Sequence, residues 1–182
     1  MLQETHRLFI IVVALEGLGF GYKFGTNATG TRGGLATLGI DALNSLVLEE
    51  GLGGSFEQVA ELMERVREIV PVGACIDTCH THVAGYDIVS AKGMRETLLE
   101  LDRTVGLKNV DLWHCNDAKA SRGSRLDRHD HVGRGQIGRQ AFRRLLNDPR
   151  LAHAAFIAET PIDKPGDDRR NVEALKSLVA RH

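Results

Sequence analysis

A chain of 182 residues with 42% hydrophobic content suits one domain with a buried core. A net charge of −1 and a pI of about 6.7 exclude a uniformly basic nucleic-acid magnet, and the longest apolar run, residues 8–15, falls far short of the roughly 20 residues of a membrane-spanning helix. Three cysteines, with Cys75 and Cys79 four apart, fit neither a disulfide framework nor a zinc knuckle, so reduced thiols in a cytoplasmic protein are expected.

Residues 8–15 read as a buried strand, and the opening of the chain lacks the basic start and small-residue cleavage site of a secretory signal. Residues 17–34 are rich in Gly, Thr and Asn and carry no clear period. Leu35, Leu38, Leu43, Leu46 and Val47 mark a rough helical face, but Leu46-Val47-Leu48-Glu49 reads equally as a strand ending in a carboxylate. Both readings stay open.

From residue 55 the pattern is regular. Ser55-Phe56-Glu57-Gln58 is a capping box, with a hydroxyl for the third amide and a Gln reaching back. Phe56, Val59, Leu62, Met63, Val66 and Ile69 then form one helical stripe, stopped by Pro71. Val72-Gly73-Ala74-Cys75-Ile76-Asp77 is the apolar run of a buried parallel strand, breaking at Thr78-Cys79-His80 into a polar loop with a turn at Gly85. Asp77 alone reads as readily as a capping or loop carboxylate as a site residue.

A second helix is expected over residues 90–105, burying Met94, Leu98, Leu101 and Val105. Val110-Asp111-Leu112-Trp113-His114-Cys115 is a second strand, on which Trp113 points away from His114 and packs under a helix. Residues 137–147 form a third helix, and Ala154-Ala155-Phe156-Ile157-Ala158-Glu159 a third strand ending in Glu159. The last helix, residues 168–180, buries Val172, Leu175, Leu178 and Val179. Helices and strands alternate from residue 55 to the end, which implies α/β architecture with parallel strands and right-handed crossovers. In an α/β protein the chemistry collects at the carboxyl ends of the strands, where Asp77, His114 and Glu159 stand as candidate catalytic residues.

A divalent cation of the zinc or manganese type takes imidazole and carboxylate ligands from separate elements. The chain offers Asp77 and His80, then His114, then Asp127-Arg128-His129, then Glu159. In an extended loop Asp127 and His129 turn to one side, so with His80 they make a three-ligand cage; Asp77, His114 and Glu159 make a second set. Between Lys119 and Arg144 lie eight basic residues (Lys119, Arg122, Arg125, Arg128, Arg134, Arg139, Arg143, Arg144) against Asp127 and Asp130. Lys119, Arg125 and Arg128 are the candidate phosphate contacts, with simple solvation the competing reading. His82 and His131 read as solvated loop histidines, His153 and His182 as surface residues, and Tyr86 as core packing beside a turn rather than a base-stacking platform.

Cys75-Ile76-Asp77-Thr78-Cys79-His80 with Ala84-Gly85-Tyr86-Asp87, His114 with Asn116-Asp117-Ala118-Lys119, Ser124-Arg125-Leu126-Asp127-Arg128-His129 with Gly133 and residues 135–138, and Glu159-Thr160-Pro161 together resemble the endonuclease IV family of apurinic/apyrimidinic DNA-repair enzymes. The resemblance runs from residue 55 to the C-terminus. It implies a (β/α)8 barrel that holds three zinc ions and cuts DNA on the 5′ side of abasic sites. It further implies that His80, Asp127 and His129 hold one zinc, and that Asp77, His114 and Glu159 hold a second.

The family's third metal needs two histidines and a bridging glutamate from the first half of the barrel. Eight β/α units take about 250 residues, more than this chain has, so the expected fold is a partial TIM-type barrel. Its divisions would be a divergent N-terminal segment, 1–54, and a half-barrel carrying the metal ligands, 55–182. Asn27 stands where the resemblance expects a histidine, and His6 matches neither family histidine. Glu49 is the candidate bridging ligand and Glu16 the alternative. The function expected is a zinc-dependent phosphodiesterase acting on abasic DNA, with manganese as the alternative ion and one metal site incomplete. The alternatives are a metal-binding but inactive remnant and a sugar isomerase-like barrel. Missing strands would expose apolar sheet edges, so pairing into a homodimer is expected.

Overall fold

The computed structural model of the protein describes residues 13–14, 55–68 and 72–180. The readings of residues 17–49, with Asn27 and Glu49, and those of His6, Glu16, Ile69, Pro71 and His182 lie outside them.

Strand β1 (Val13–Ala14) is followed by helix α1 (Phe56–Arg67), which begins where the capping box lies. The Ser55 hydroxyl accepts the Gln58 amide at 3.4 Å, and Phe56, Val59, Leu62 and Met63 are all buried. Tyr86 completes this end from a distance in sequence. Its ring stacks on Phe56 with centroids 4.1 Å apart, and its hydroxyl accepts the Phe56 amide at 3.2 Å. The tyrosine is therefore core packing, as expected.

Strand β2 (Val72–Asp77) does not give way to a loop. Helix α2 (Thr78–Ala84) starts at once, because the Asp77 carboxylate accepts the His80 amide at 3.0 Å and the Thr81 hydroxyl donates to the Asp77 carbonyl at 2.6 Å. The helix ends at Gly85, whose φ of 120° suits only glycine and lets its amide reach back to the carbonyls of Thr81 and His82. The polar composition of Thr78-Cys79-His80 is that of a capped first turn.

Helix α3 (Ala91–Thr104) buries Met94, Leu98 and Leu101, with Val105 just past its end. Its start is held in two tiers. The Ser90 hydroxyl accepts the Gly93 amide at 2.9 Å, and Asp87 accepts the Ser90 hydroxyl at 2.7 Å and the Val89 and Ser90 amides at 3.0 Å each. The Ser90 amide, helped by the Ser90 hydroxyl, the Val89 amide and the charge of Arg122, outweighs partial burial and holds the Asp87 pKa below its ordinary value. A carboxylate depressed in the folded state adds stability that is complete above its unfolded pKa of about 3.9 and vanishes as pH falls through the folded value. Asp87→Ala should thus cost about 1–2 kcal/mol at pH 7. Urea unfolding at pH 7 and pH 3 checks this, since the gap from the parent should narrow at the lower pH.

Strand β3 (Val110–His114) follows a short 3-10 turn, and a two-stranded ribbon of β4 (Asp117–Ala118) and β5 (His129–Asp130) brackets the basic loop. Helix α4 (Arg139–Leu146), strand β6 (Ala155–Ile157) and helix α5 (Asp167–Lys176) complete the order. The main sheet runs β1-β2-β3-β6. Strands β2, β3 and β6 are parallel as expected, whereas β1 pairs antiparallel with the start of β2, Val13 opposite Gly73. Trp113 is 2% exposed, in the core on the face opposite the ligands.

Two boundaries differ from expectation. Strand β6 ends at Ile157, so Glu159 sits in the loop beyond it. Helix α5 starts at Asp167, and its inward stripe runs Asp167, Asn171, Leu175, Leu178, which leaves Val172 and Val179 exposed. Polar residues hold the inward places because they are bonded there: Asn171 accepts the Val132 amide at 2.9 Å, and Asp167 accepts the Lys164 amide at 2.7 Å. Among the described residues β6 ends the sheet; Ile157 on it and Ile162 beyond it are exposed, the apolar margin expected of an incomplete barrel.

Candidate metal centre

Register brings the strand-end residues together. Asp77 lies opposite His114 across β2 and β3, and His114 lies opposite Ile157 across β3 and β6. Glu159, two residues past Ile157, returns to the same side. His114 Nδ1 is 3.1 Å from Glu159 Oε2 and 3.7 Å from Asp77 Oδ2. Asp77 and His114 are buried, while the Glu159 side chain is 60% exposed, so the group is closed below and open to solvent above. His114 Nε2 is buried with no hydrogen-bond partner among the described residues, whereas Nδ1 faces both carboxylates.

The second group is built by α2 and the ribbon. The buried His80 is carried on the first turn of α2, and pairing of β4 with β5 sets Ala118 against His129. The Lys119 amide donates to the Arg128 carbonyl at 2.9 Å, which extends the ribbon toward Asp127. His80 Nε2 lies 3.3 Å from His129 Nε2, and Asp127 Oδ1 lies 3.2 Å and 3.3 Å from these two nitrogens. Ligand atoms around a tetrahedral ion with bonds of about 2.0–2.2 Å stand about 3.3–3.6 Å apart, so this near-equilateral triangle, at the short end of that range, fits zinc. The His129 tautomer agrees: Nδ1 lies 3.0 Å from the Glu159 carbonyl, and donation there leaves the Nε2 lone pair facing the triangle.

Electrostatics favour a cation at the triangle. Burial alone would lower the His80 pKa, but its hydrogen bond to Asp127 and the charges of Asp77, Asp127 and Glu159 together raise it. The same bond to His80, ahead of the charges of His80, His129 and Arg128, holds Asp127 low against its desolvation. The two groups adjoin, with His129 Nε2 3.9 Å from Asp77 Oδ2. Both sets, His80, Asp127, His129 and Asp77, His114, Glu159, have ligand atoms close enough to hold an ion.

Cys79 also lies within reach, beside Asp77 and His129. Burial first, then the charges of Asp77 and Asp127, push its thiol pKa up to about 12, so it remains a thiol and its Sγ–H points to the Arg128 carbonyl at 3.7 Å. Only the thiolate is a good ligand, and Cys79 reads as packing. Cys75, likewise pushed up to about 12 by burial and the charges of Asp77 and Glu159, and Cys115 are buried free thiols, as expected from their number.

Residues 34–179 match the family model described as a xylose isomerase-like TIM barrel. The chain belongs to the AP endonuclease family of these barrels. It is 50% identical over 130 residues to the probable endonuclease 4 of Solibacter usitatus, covering 70% of this chain and 45% of that protein. It is 38% identical over 130 residues to the apurinic-apyrimidinic endonuclease 1 of Schizosaccharomyces pombe, covering 71% of this chain and 38% of that one. The crystal structure of endonuclease IV from Thermus thermophilus superposes with a TM-score of 0.60 at 38% identity, over 69% of this chain and 44% of that one. The chain thus spans under half the length of these relatives.

The other residues singled out in the sequence stand as follows. Lys119, Arg125 and Arg128 are exposed on the segment that joins β4 to β5, and Arg125 takes a left-handed φ of 57°. Arg122 is bound to Asp87 at 3.3 Å. His82, expected in solvent, is buried on α2, and neither ring nitrogen has a hydrogen-bond partner among the described residues, because the segment is a helix packed inward. Burial lowers its pKa, so it is a neutral ring. His131 is half-buried, its Nδ1 3.0 Å from the Asn171 amide, and His153 is exposed.

Asn116 and Asp117, polar residues to which the sequence alone assigns no role, are both fully buried. The signal available was a polar pair immediately after an apolar strand, at the end where ligands gather. No helix of the described residues is long and apolar enough to cross a membrane.

Proposed function

We propose that this chain carries two of the zinc sites of a phosphodiesterase that incises DNA at abasic sites. The triangle of His80, Asp127 and His129, with edges of 3.2–3.3 Å, is the observation that supports this reading most directly. Paired cations in these two groups would polarise a phosphodiester and activate water toward it. Asp77, His114 and Glu159 would hold the strand-end ion, with Glu159 at the solvent side where substrate enters. The exposed cations Lys119, Arg125 and Arg128 would take backbone phosphates on either side of the break. A nucleotide lacking its base leaves the duplex at low cost, which would let its phosphate reach the two groups from the solvent side. Manganese would serve the same oxygen and nitrogen donors.

A second reading has one fact in its favour, the span of 45% or less of the relatives above. On it, the chain binds metal without cutting. Incision of an abasic-site oligonucleotide by the zinc-loaded chain separates the two. Cleavage lost on chelation and in His114→Ala supports the enzyme, zinc bound without cleavage supports the second reading, and full cleavage after chelation overturns both.

A further inference from the structure

We infer that Asn116 is a positioning residue that sets the donor geometry of the strand-end metal group, acting through Asp77 and Glu159. Its side chain is fully buried at the convergence of the three strand ends. Nδ2 donates to Asp77 Oδ2 at 2.6 Å, and Oδ1 accepts the Glu159 amide at 2.8 Å. The two bonds fix the orientation of the amide, since only nitrogen can donate to the carboxylate and only oxygen can accept from the backbone.

The Asn116 backbone is anchored as firmly. Its amide donates to Thr78 Oγ1 at 2.9 Å, and the Thr78 hydroxyl donates to the Asn116 carbonyl at 2.6 Å, with the His114 carbonyl at 3.1 Å. One asparagine therefore joins the ends of β2 and β3 to the loop after β6.

The consequence for metal binding follows from the oxygens of Asp77. Oδ1 is taken by the His80 amide as the cap of α2, so Oδ2 is the atom that faces His114 Nδ1 at 3.7 Å and His129 Nε2 at 3.9 Å. Asn116 occupies one lone pair of Oδ2 and turns the other toward the ligands. It also sets where Glu159 leaves its strand. Groups that orient a metal's ligands in this way are commonly worth 10–100-fold in metal affinity. His80, Asp127 and His129 receive no bond from the Asn116 side chain and feel it only through Asp77, so the effect should fall mainly on one group.

The test is a titration of the metal-free full chain with Co2+, read by its visible absorption, followed by zinc competition. This inference rests on reading the two groups as metal sites. A parent chain that binds no ion overturns that reading, whereas a parent that binds and a variant that does not differ overturns only the role of Asn116. In Asn116→Ala the ion lost in His114→Ala should bind 10–100-fold more weakly with an altered spectrum, and the ion lost in Asp127→Ala should weaken several-fold less than that. Should Asn116→Ala fail to fold, Asn116→Ser, which keeps a polar atom at that place without spanning both partners, should show the same selective loss. Equal weakening of both ions, or none, in a folded variant overturns the proposal.

Discussion

Asp117→Ala should leave the chain unfolded at room temperature. The carboxylate is fully buried and accepts backbone amides with both oxygens: Ala118 at 2.9 Å and Ile137 at 2.8 Å on Oδ1, Gly133 at 2.9 Å on Oδ2, and Gly138 between them at 3.4 Å and 3.2 Å. The loop of residues 133–138 is folded around that one side chain. A Cβ at Gly135 would collide with the Ala118 carbonyl and lie 2.6 Å from Asp117 Oδ1, so the approach is as close as backbone permits. Each buried amide left without an acceptor costs about 1–3 kcal/mol, and several are exposed to that cost together, against a total stability of about 5–15 kcal/mol for a domain. Asp117→Asn retains one acceptor but turns N–H groups toward N–H groups, and should lose less. Far-UV circular dichroism and urea unfolding of the two variants check the order. A folded Asp117→Ala chain with a midpoint near that of the parent contradicts it.

Metal content should change in whole equivalents. On the two-site reading the parent takes up two zinc ions per chain, and His80→Ala and His114→Ala each retain one. The double variant binds none. Each group has three protein donors, so loss of one leaves two, too few for a structural or catalytic zinc, which keeps at least three. The contact of His129 with Asp77 at 3.9 Å couples the groups, so the ion left in either single variant should bind somewhat more weakly than in the parent. Elemental analysis after dialysis against a weak chelator reads the count directly. Two ions retained by His80→Ala would show that the triangle is not a site.

Much of this was legible along the chain because it depends on local spacing. The apolar stripe of Phe56, Val59, Leu62 and Met63 has helical period whatever it packs on, and the run before Asp77 is too uniformly apolar for anything but a buried strand. Ligand types at strand ends follow from the same reading, since polar residues that interrupt an apolar run mark where the strand leaves the core. Segment boundaries were less legible. Thr78-Cys79-His80 looks like a loop until the Asp77 carboxylate is seen capping it, and Val172 looks buried until Asn171 is found to hold the inward place by hydrogen bonding.

The sequence by itself determined the alternation of helix and strand from residue 55 onward, the donor types at Asp77, His80, His114, Asp127, His129 and Glu159, and the basic character of the loop between them. Periodicity and side-chain chemistry are properties of neighbours in the chain, and need no fold to be read. The sequence also suggested how the six donors divide into two sets. Tertiary structure alone decided that donors spread over more than eighty positions come within ligand distance and that the two sets adjoin, that Asp77 serves both as helix cap and as site carboxylate, and that Asn116 and Asp117 hold the surrounding loops. Those facts depend on strand register and on which backbone amides meet a given oxygen, and both are set only when distant segments pack.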